Sequence, residues 1–311
     1  MKGKVIRSTG SWYLVKDITN NKIYNCKLKG QLKIKGFKAT NPVVVGDDVD
    51  FIIDEKNNIG IIKNICPRKN YIIRRAAKLS KESHIIAANI DKAFLIATLI
   101  LPKTSTGFID RFLVTANAYN IPVVIVFNKI DIYTNSELEQ LQVLESTYKN
   151  IGYNVINVSA INGYNFDLLI NEMKNNICLF AGHSGTGKTT LLNKIEPTLN
   201  LKTRDISKTH LKGRHTTSFA EMFPLSFGGY IIDTPGIKEF GLINIKKEEL
   251  THFFPEMFQL LNKCKYYNCT HVNEPGCAVK QALEDGQIAS WRYKNYIVMF
   301  SGEDIEEKEW S

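Results

Sequence analysis

The chain has no apolar run long enough to cross a membrane. Its longest, Ala93–Leu101, is broken by Thr98 and falls far short of the roughly 18 residues that a spanning helix needs. The basic start, Met1–Val15, lacks the apolar stretch of a secretory signal. Cysteine is sparse: Cys26, Cys66 and Cys178 are scattered, and only Cys264, Cys269 and Cys277 crowd together. A disulfide framework would space them differently, and a chain of 311 residues does not need one. No internal repeat is visible. These absences argue against a membrane-spanning or disulfide-built secreted protein, and a cytoplasmic location is the expectation.

What is present is enough apolar content, 44%, for a sizeable core, which excludes global disorder. The net charge is +9 and unevenly spread. Residues 1–80 hold 17 basic and 6 acidic side chains, net +11, so the other 231 residues net −2. A basic quarter on a near-neutral body suggests a polyanion partner. The plainer alternative is a solvated surface kept for solubility.

Residues 1–66 read as short strands: Lys4–Arg7, Trp12–Val15, Lys22–Leu28, Val43–Val45, Val49–Ile53 and Ile61–Ile65. Gly10, Gly30, Gly36 and Gly46 separate several of them, which predicts a small barrel. Pro67 and the basic residues Arg68, Lys69, Arg74 and Arg75 read as a linker. From about residue 85, apolar strands (Lys92–Thr98, Val123–Phe127, Val155–Val158, Ile177–Phe180) alternate with helical spacings (Ile109–Tyr119, Glu137–Lys149, Phe166–Lys174). That alternation predicts an α/β fold, a parallel sheet covered on both faces. Beyond about residue 245 the pattern is helical or loop-like. Three domains are expected: 1–68, 69–245 and 246–311.

Gly182-His183-Ser184-Gly185-Thr186-Gly187-Lys188-Thr189 matches G-x-x-x-x-G-K-[ST] in full, after an apolar strand and before a helical pattern opening at Thr190. The glycines let backbone N–H groups turn inward around phosphate oxygens, and the helix N-terminus adds partial positive charge. Lys188 is expected to neutralise β/γ-phosphate charge and Thr189 to ligate Mg²⁺. His183 reads as a tolerated variable position.

Asn128-Lys129-Ile130-Asp131 follows the strand Val123–Phe127. Such an N-K-x-D element selects guanine because the Asp carboxylate accepts from guanine N1–H and its amine; adenine has no such donor pair. Ser159-Ala160, after the strand Val155–Val158, resembles a base-contacting loop. Asp233-Thr234-Pro235-Gly236 matches D-x-x-G, with Asp233 near Mg²⁺ and the Gly236 amide near the γ-phosphate. Gly213-Arg214-His215-Thr216-Thr217 stands where a first switch loop belongs; Thr216 and Thr217 are both candidates for its Mg²⁺ threonine.

In Ras-like GTPases the N-K-x-D and S-A elements come last; here they precede the phosphate loop. The order predicts a circularly permuted P-loop GTPase, whose chain leaves the core soon after the second switch, near Phe240. Ile237 occupies the position where Ras-like enzymes carry a water-positioning Gln. An aliphatic side chain cannot polarise water, so intrinsic turnover should be slow. His215 is the candidate substitute, alongside Lys188 and Asp233 as catalytic residues; a solvated loop histidine is the equal alternative.

Cys264-x₄-Cys269-x-His271-x₅-Cys277 offers three thiolates and one imidazole, the donor set of a closed, structural zinc site. The segment is short and polar, so metal would supply stability that a core does not.

Taken together, these motifs make the chain resemble the ribosome small subunit-dependent GTPase A family over essentially its whole length. Pro42–Asp47 is similar to that family's N-terminal OB barrel, Ala87–Asp91 to its first GTPase strand and Ile109–Leu113 to the helix before N-K-x-D. Gly213–Thr217 fits its switch, and His271–Val279 its zinc segment. The resemblance implies an OB-fold RNA-binding domain, a permuted GTPase domain and a C-terminal α-helical zinc domain. It implies a monomeric cytosolic factor that binds GTP or GDP with Mg²⁺ and one structural zinc. It also implies rRNA binding and a role late in small-subunit assembly, with hydrolysis stimulated by the subunit. The family replaces the switch glutamine by a hydrophobic residue and implicates the switch histidine, which Ile237 and His215 fit. A nucleotide-gated RNA-binding module, with hydrolysis only resetting docking, is the alternative. Trp12, Tyr13 and Tyr24 are candidates for base stacking and equally for barrel core.

Overall fold

The computed structural model describes residues 1–28, 42–55, 57–75, 83–200, 220–233 and 245–302. The chain divides into two compact units. The first comprises Met1–Phe94, Phe166–Gly182 and Gly187–Glu239; the second comprises Leu95–Asn165, His183–Thr186 and Phe240–Ser311. No helix among the described residues is long and apolar enough to cross a membrane.

The first unit opens with a closed five-stranded barrel: β1 (Lys2–Ser8), β2 (Tyr13–Asp17), β3 (Ile23–Leu28), β4 (Asp48–Asp54) and β5 (Ile59–Ile65). β1–β2 and β2–β3 are antiparallel, β3 pairs parallel with β5, β5 antiparallel with β4, and β4 returns to β1. This is the OB-like order. Alternate residues face inward, as the strand period of two requires. Val5, Tyr13, Val15, Cys26, Val49, Phe51 and Ile62 form the core. Tyr13 is therefore core and Tyr24 packs beside Phe51, while Trp12 is 39% exposed with the Lys27 ammonium 4.2 Å from its ring centre.

Two sequence expectations change here. Val43–Val45 is not a strand; only Val45 bridges, to Ala87. The reason is competition for its backbone: Val44 N–H donates to the buried Asp47 carboxylate and the Val43 carbonyl accepts from Ser8 Oγ. Gly46 follows with φ +89, and a Cβ there would stand 2.0 Å from the Ala88 carbonyl oxygen, so only glycine fits. The supposed linker is also structured. β6 (Tyr71–Arg75) and β7 (Ser83–Ala88) pair as an antiparallel ladder, and Ala87-Ala88 closes it rather than starting the parallel sheet. Arg68 donates to both Asp47 carboxylate oxygens at 2.6 and 2.7 Å, and Lys69 pairs with Asp91. Lys4 pairs with Asp48. Part of the N-terminal positive charge is thus spent within the fold.

β8 (Lys92–Ala97) crosses the division between the units. In the second unit come α1 (Thr106–Ala118), β9 (Val123–Phe127), α2 (Asn135–Ile151) and β10 (Asn154–Asn157), with β9 and β10 parallel. Ser105 caps α1 through the Phe108 N–H, and a Thr134/Glu137 capping box opens α2. In the first unit come α3 (Phe166–Met173), β11 (Ile177–Ala181), α4 (Lys188–Ile195), β12 (Glu221–Pro224) and β13 (Tyr230–Asp233). β13 pairs parallel with β11 and antiparallel with β12, and β12 meets the barrel at Arg7 opposite Glu221.

The second unit ends in short helices: a 3-10 segment at Lys247–Phe253, α5 (Pro255–Phe258), α6 (Ala278–Glu284) and α7 (Ser290–Ser301). They pack with Val114 of α1 around Leu250, Phe254, Met257 and Tyr296. At the α1–α7 contact, Arg292 is 1% exposed. It donates to Asp110 at 2.6 Å and to both oxygens of Glu256 at 2.8 and 3.0 Å. Asn295 and Tyr148 also donate to Asp110. Burial opposes the Arg292 charge, but the two carboxylates overcome it and raise the guanidinium pKa.

Candidate functional site

The phosphate loop runs from the end of β11 to the start of α4. Gly182, Gly185 and Gly187 have φ of +140, +86 and +87, which a side chain would resist. Lys188 Nζ donates to the Gly182 carbonyl at 2.6 Å, holding the ammonium on the loop's first residue. Thr189 and Thr190 lie in the first turn of α4. Ser184 and Gly185 are exposed, and Thr186 is buried, its hydroxyl on the His183 carbonyl at 3.0 Å. His183, expected to be merely tolerated, packs against Phe108 of α1, the rings tilted and their centres 3.8 Å apart.

The residues expected to read the base come together in the second unit. Asn128 is fully buried. Its amide donates to the Thr186 carbonyl at 2.9 Å and accepts from the Ala160 N–H at 3.1 Å. One side chain thereby ties N-K-x-D, the Ser159-Ala160 loop and the phosphate loop. Ser159 Oγ donates to Asp131, whose residue is exposed. Ile130 and Asp131 sit in a 3-10 turn. Lys129, with φ +66, reaches the Leu101 carbonyl; burial lowers its pKa and Asp131 opposes that. Tyr133, which sequence reasoning missed, donates to the Asn128 carbonyl at 2.8 Å and accepts from Leu99 N–H at 2.8 Å.

Asp233 is the last residue of β13, opposite Glu221. His215, Thr216, Thr217, Gly236 and Ile237 lie outside the described residues.

The four sequence-predicted zinc ligands converge. Their donor atoms all lie within 4.8 Å of one another, with His271 Nδ1 3.2 Å from Cys277 Sγ and 3.6 Å from Cys264 Sγ. A sulfur and a nitrogen sharing one tetrahedral zinc stand about 3.5 Å apart, so the set fits. Burial pushes the Cys269 thiol up to about 12 and raises that of Cys277, and a cation beside them would favour their thiolate forms. The supporting shell includes a residue the sequence reading left unassigned. Glu274 accepts from Thr270 N–H and hydroxyl on one oxygen and from the Val272 and Asn273 N–H groups on the other. Burial would raise its carboxyl, but these hydrogen bonds hold it down to about 2. Tyr293 and Tyr296 of α7 donate to the His271 and Thr270 carbonyls, each at 2.7 Å.

A family model described as RsgA GTPase matches residues 65–243, and one described as RsgA N-terminal domain matches residues 2–62. The chain belongs to the RsgA GTPase family. A relative from Christiangramia forsetii, named small ribosomal subunit biogenesis GTPase RsgA, is 52% identical over 98% of this chain and 97% of its own. One of the same name from Bacteroides fragilis is 51% identical over 99% and 98%. Among solved structures, YjeQ from Thermotoga maritima superposes with a TM-score of 0.77 at 35% identity, covering 97% of each chain. YloQ, described as a circularly permuted GTPase, superposes at 0.75 with 28% identity, covering 99% of this chain and 96% of its own. The RsgA fold accounts for the motif order: β9 and β10, which lead into N-K-x-D and S-A, precede the phosphate loop, and β13, which ends on the Asp233 of D-x-x-G, follows it.

Proposed function

We propose that this RsgA-family chain is a GTP hydrolase that binds the small ribosomal subunit through rRNA and acts late in that subunit's assembly, with hydrolysis stimulated by the subunit. The observation carrying the nucleotide part is Asn128: its buried amide ties Thr186 of the phosphate loop to Ala160 of the S-A loop, which joins the segments expected to read guanine and to hold phosphate. Asp131 reads the guanine edge, with Lys129, Ser159 and Ala160 shaping the base pocket. Lys188 and the loop amides neutralise the phosphates. Thr189 and Asp233 would hold Mg²⁺, which would supply charge compensation at the β/γ-phosphates. Thr216 or Thr217, and the Gly236 amide, sense the γ-phosphate; His215 takes the water-positioning role that Ile237 does not fill. Cys264, Cys269, His271 and Cys277 hold one zinc that folds the C-terminal segment. The basic barrel, with Lys27 over the exposed Trp12, supplies the RNA-facing surface.

Replacing Asp131 by Asn tests the base assignment. The expected result is a loss of GTP affinity of about a hundredfold, roughly 2.7 kcal/mol, with the preference over ATP collapsing. Unchanged affinity and selectivity would refute it. Ile237 also favours a second reading, in which GTP gates RNA docking and hydrolysis only resets it. A variant that binds GTP but cannot hydrolyse it separates the two: normal subunit maturation would support the gate.

A further inference from the structure

We propose that the Leu101–Pro102 loop belongs to the nucleotide site and lays an apolar wall along the sugar of a bound guanine nucleotide; this rests on the guanine-nucleotide reading above. The loop touches both ends of that site. The Leu101 carbonyl accepts from Lys129 of the base-reading element. Pro102 lies against the phosphate loop, where a Cβ at Gly185 would stand 3.3 Å from the Pro102 Cδ. The interval between Lys129 and Gly185 is the one that the sugar of a nucleotide must cross.

The loop is also held in place. Thr98 N–H donates to the Thr104 hydroxyl at 3.0 Å, and Thr104 N–H returns to the Thr98 carbonyl at 2.8 Å. The Thr98 hydroxyl closes the loop on the Pro102 carbonyl. On this pinned loop Leu101 has φ +52 and is 72% exposed. Leucine is unfavourable there for its left-handed backbone. Glycine or asparagine would make the same turn without that cost. Among the described residues, ten non-glycine positions have positive φ, and seven of these are asparagine. The other three are Lys129, His271 and Leu101. Lys129 belongs to the base-reading element and His271 to the metal centre, so Leu101 keeps the company of site residues. An aliphatic wall on the sugar serves GDP and GTP alike and does not discriminate between bases.

The test is calorimetric titration of GDP, of a non-hydrolysable GTP analogue and of ATP into wild type, Leu101→Gly and Leu101→Met, together with the melting temperature of each without nucleotide. Leu101→Gly should weaken GDP and the GTP analogue alike, about five- to tenfold, with guanine preference retained. Its melting temperature should be unchanged or higher, because glycine relieves the left-handed backbone. Leu101→Met should bind within about twofold of wild type. Wild-type affinity in Leu101→Gly, or a lowered melting temperature that accounts for weaker binding, would overturn the proposal while leaving the guanine reading intact. A wild-type protein that binds no guanine nucleotide would overturn the reading itself.

Discussion

At Asn128 a single buried amide serves three loops, and at Glu274 a single carboxylate gathers four donors of the metal loop. Both act by organising backbone, which short motifs record only indirectly. The Glu274 carboxyl is held down to about 2, from an ordinary value of 4.5. Because the folded value is the lower one, its contribution to stability is complete above about pH 4.5 and is lost as pH falls toward 2. Glu274→Gln removes the charge and turns an amide donor toward N–H donors. The variant should melt several degrees below wild type at pH 7, and the gap should narrow from pH 4.5 downward. A gap that is the same at pH 3 and pH 7 would remove the carboxylate from this role. Asn128 was legible as part of N-K-x-D, but its bond to Thr186 joins residues 58 apart and needs the fold to be seen. Glu274 was visible only as one residue in a resembling segment.

Among the elements, α1 and α7 are locked by the Asp110–Arg292–Glu256 cluster, which sits beside the metal loop that Tyr293 and Tyr296 brace. Arg292→Met would leave Asp110 buried without its cation and should cost about 3–5 kcal/mol in chemical denaturation. A cost below about 1 kcal/mol would show that the pair is not a structural lock. Metal analysis should find one zinc per chain, and a strong chelator should unfold the segment around residues 264–301 before the rest; retained α7 protection in hydrogen exchange after zinc removal would contradict that. The parallel strands were readable because buried strands are continuous apolar runs, as in Val123–Phe127, and α1 and α2 because their spacing is helical. Two segments misled. Val43–Val45 has strand composition, but side chains of Asp47 and Ser8 take its backbone bonds. Tyr71–Arg75 has linker-like charge, yet its apolar Tyr71-Ile72-Ile73 pairs with β7. The Asp110–Arg292 pair spans 182 residues and carries no local signal.

Across the whole molecule, the sequence separates a basic N-terminal region from a near-neutral remainder, and the barrel gives that region its form. Barrel strand β1 pairs with β12, and β12 with β13, whose last residue is Asp233. A contact made on β1 would therefore be two strands from Asp233. Domain order and motif order were legible because each motif is short and contiguous; the β1–β12 joint was not, since Arg7 and Glu221 are far apart in the chain. GTP hydrolysis with and without purified small ribosomal subunits, over a range of salt concentrations, decides whether this chain is a subunit-dependent GTPase. Turnover should be slow alone and strongly stimulated by subunits, and the stimulation should be lost as salt screens the phosphate contacts. Equal turnover with and without subunits at every salt concentration would contradict that dependence.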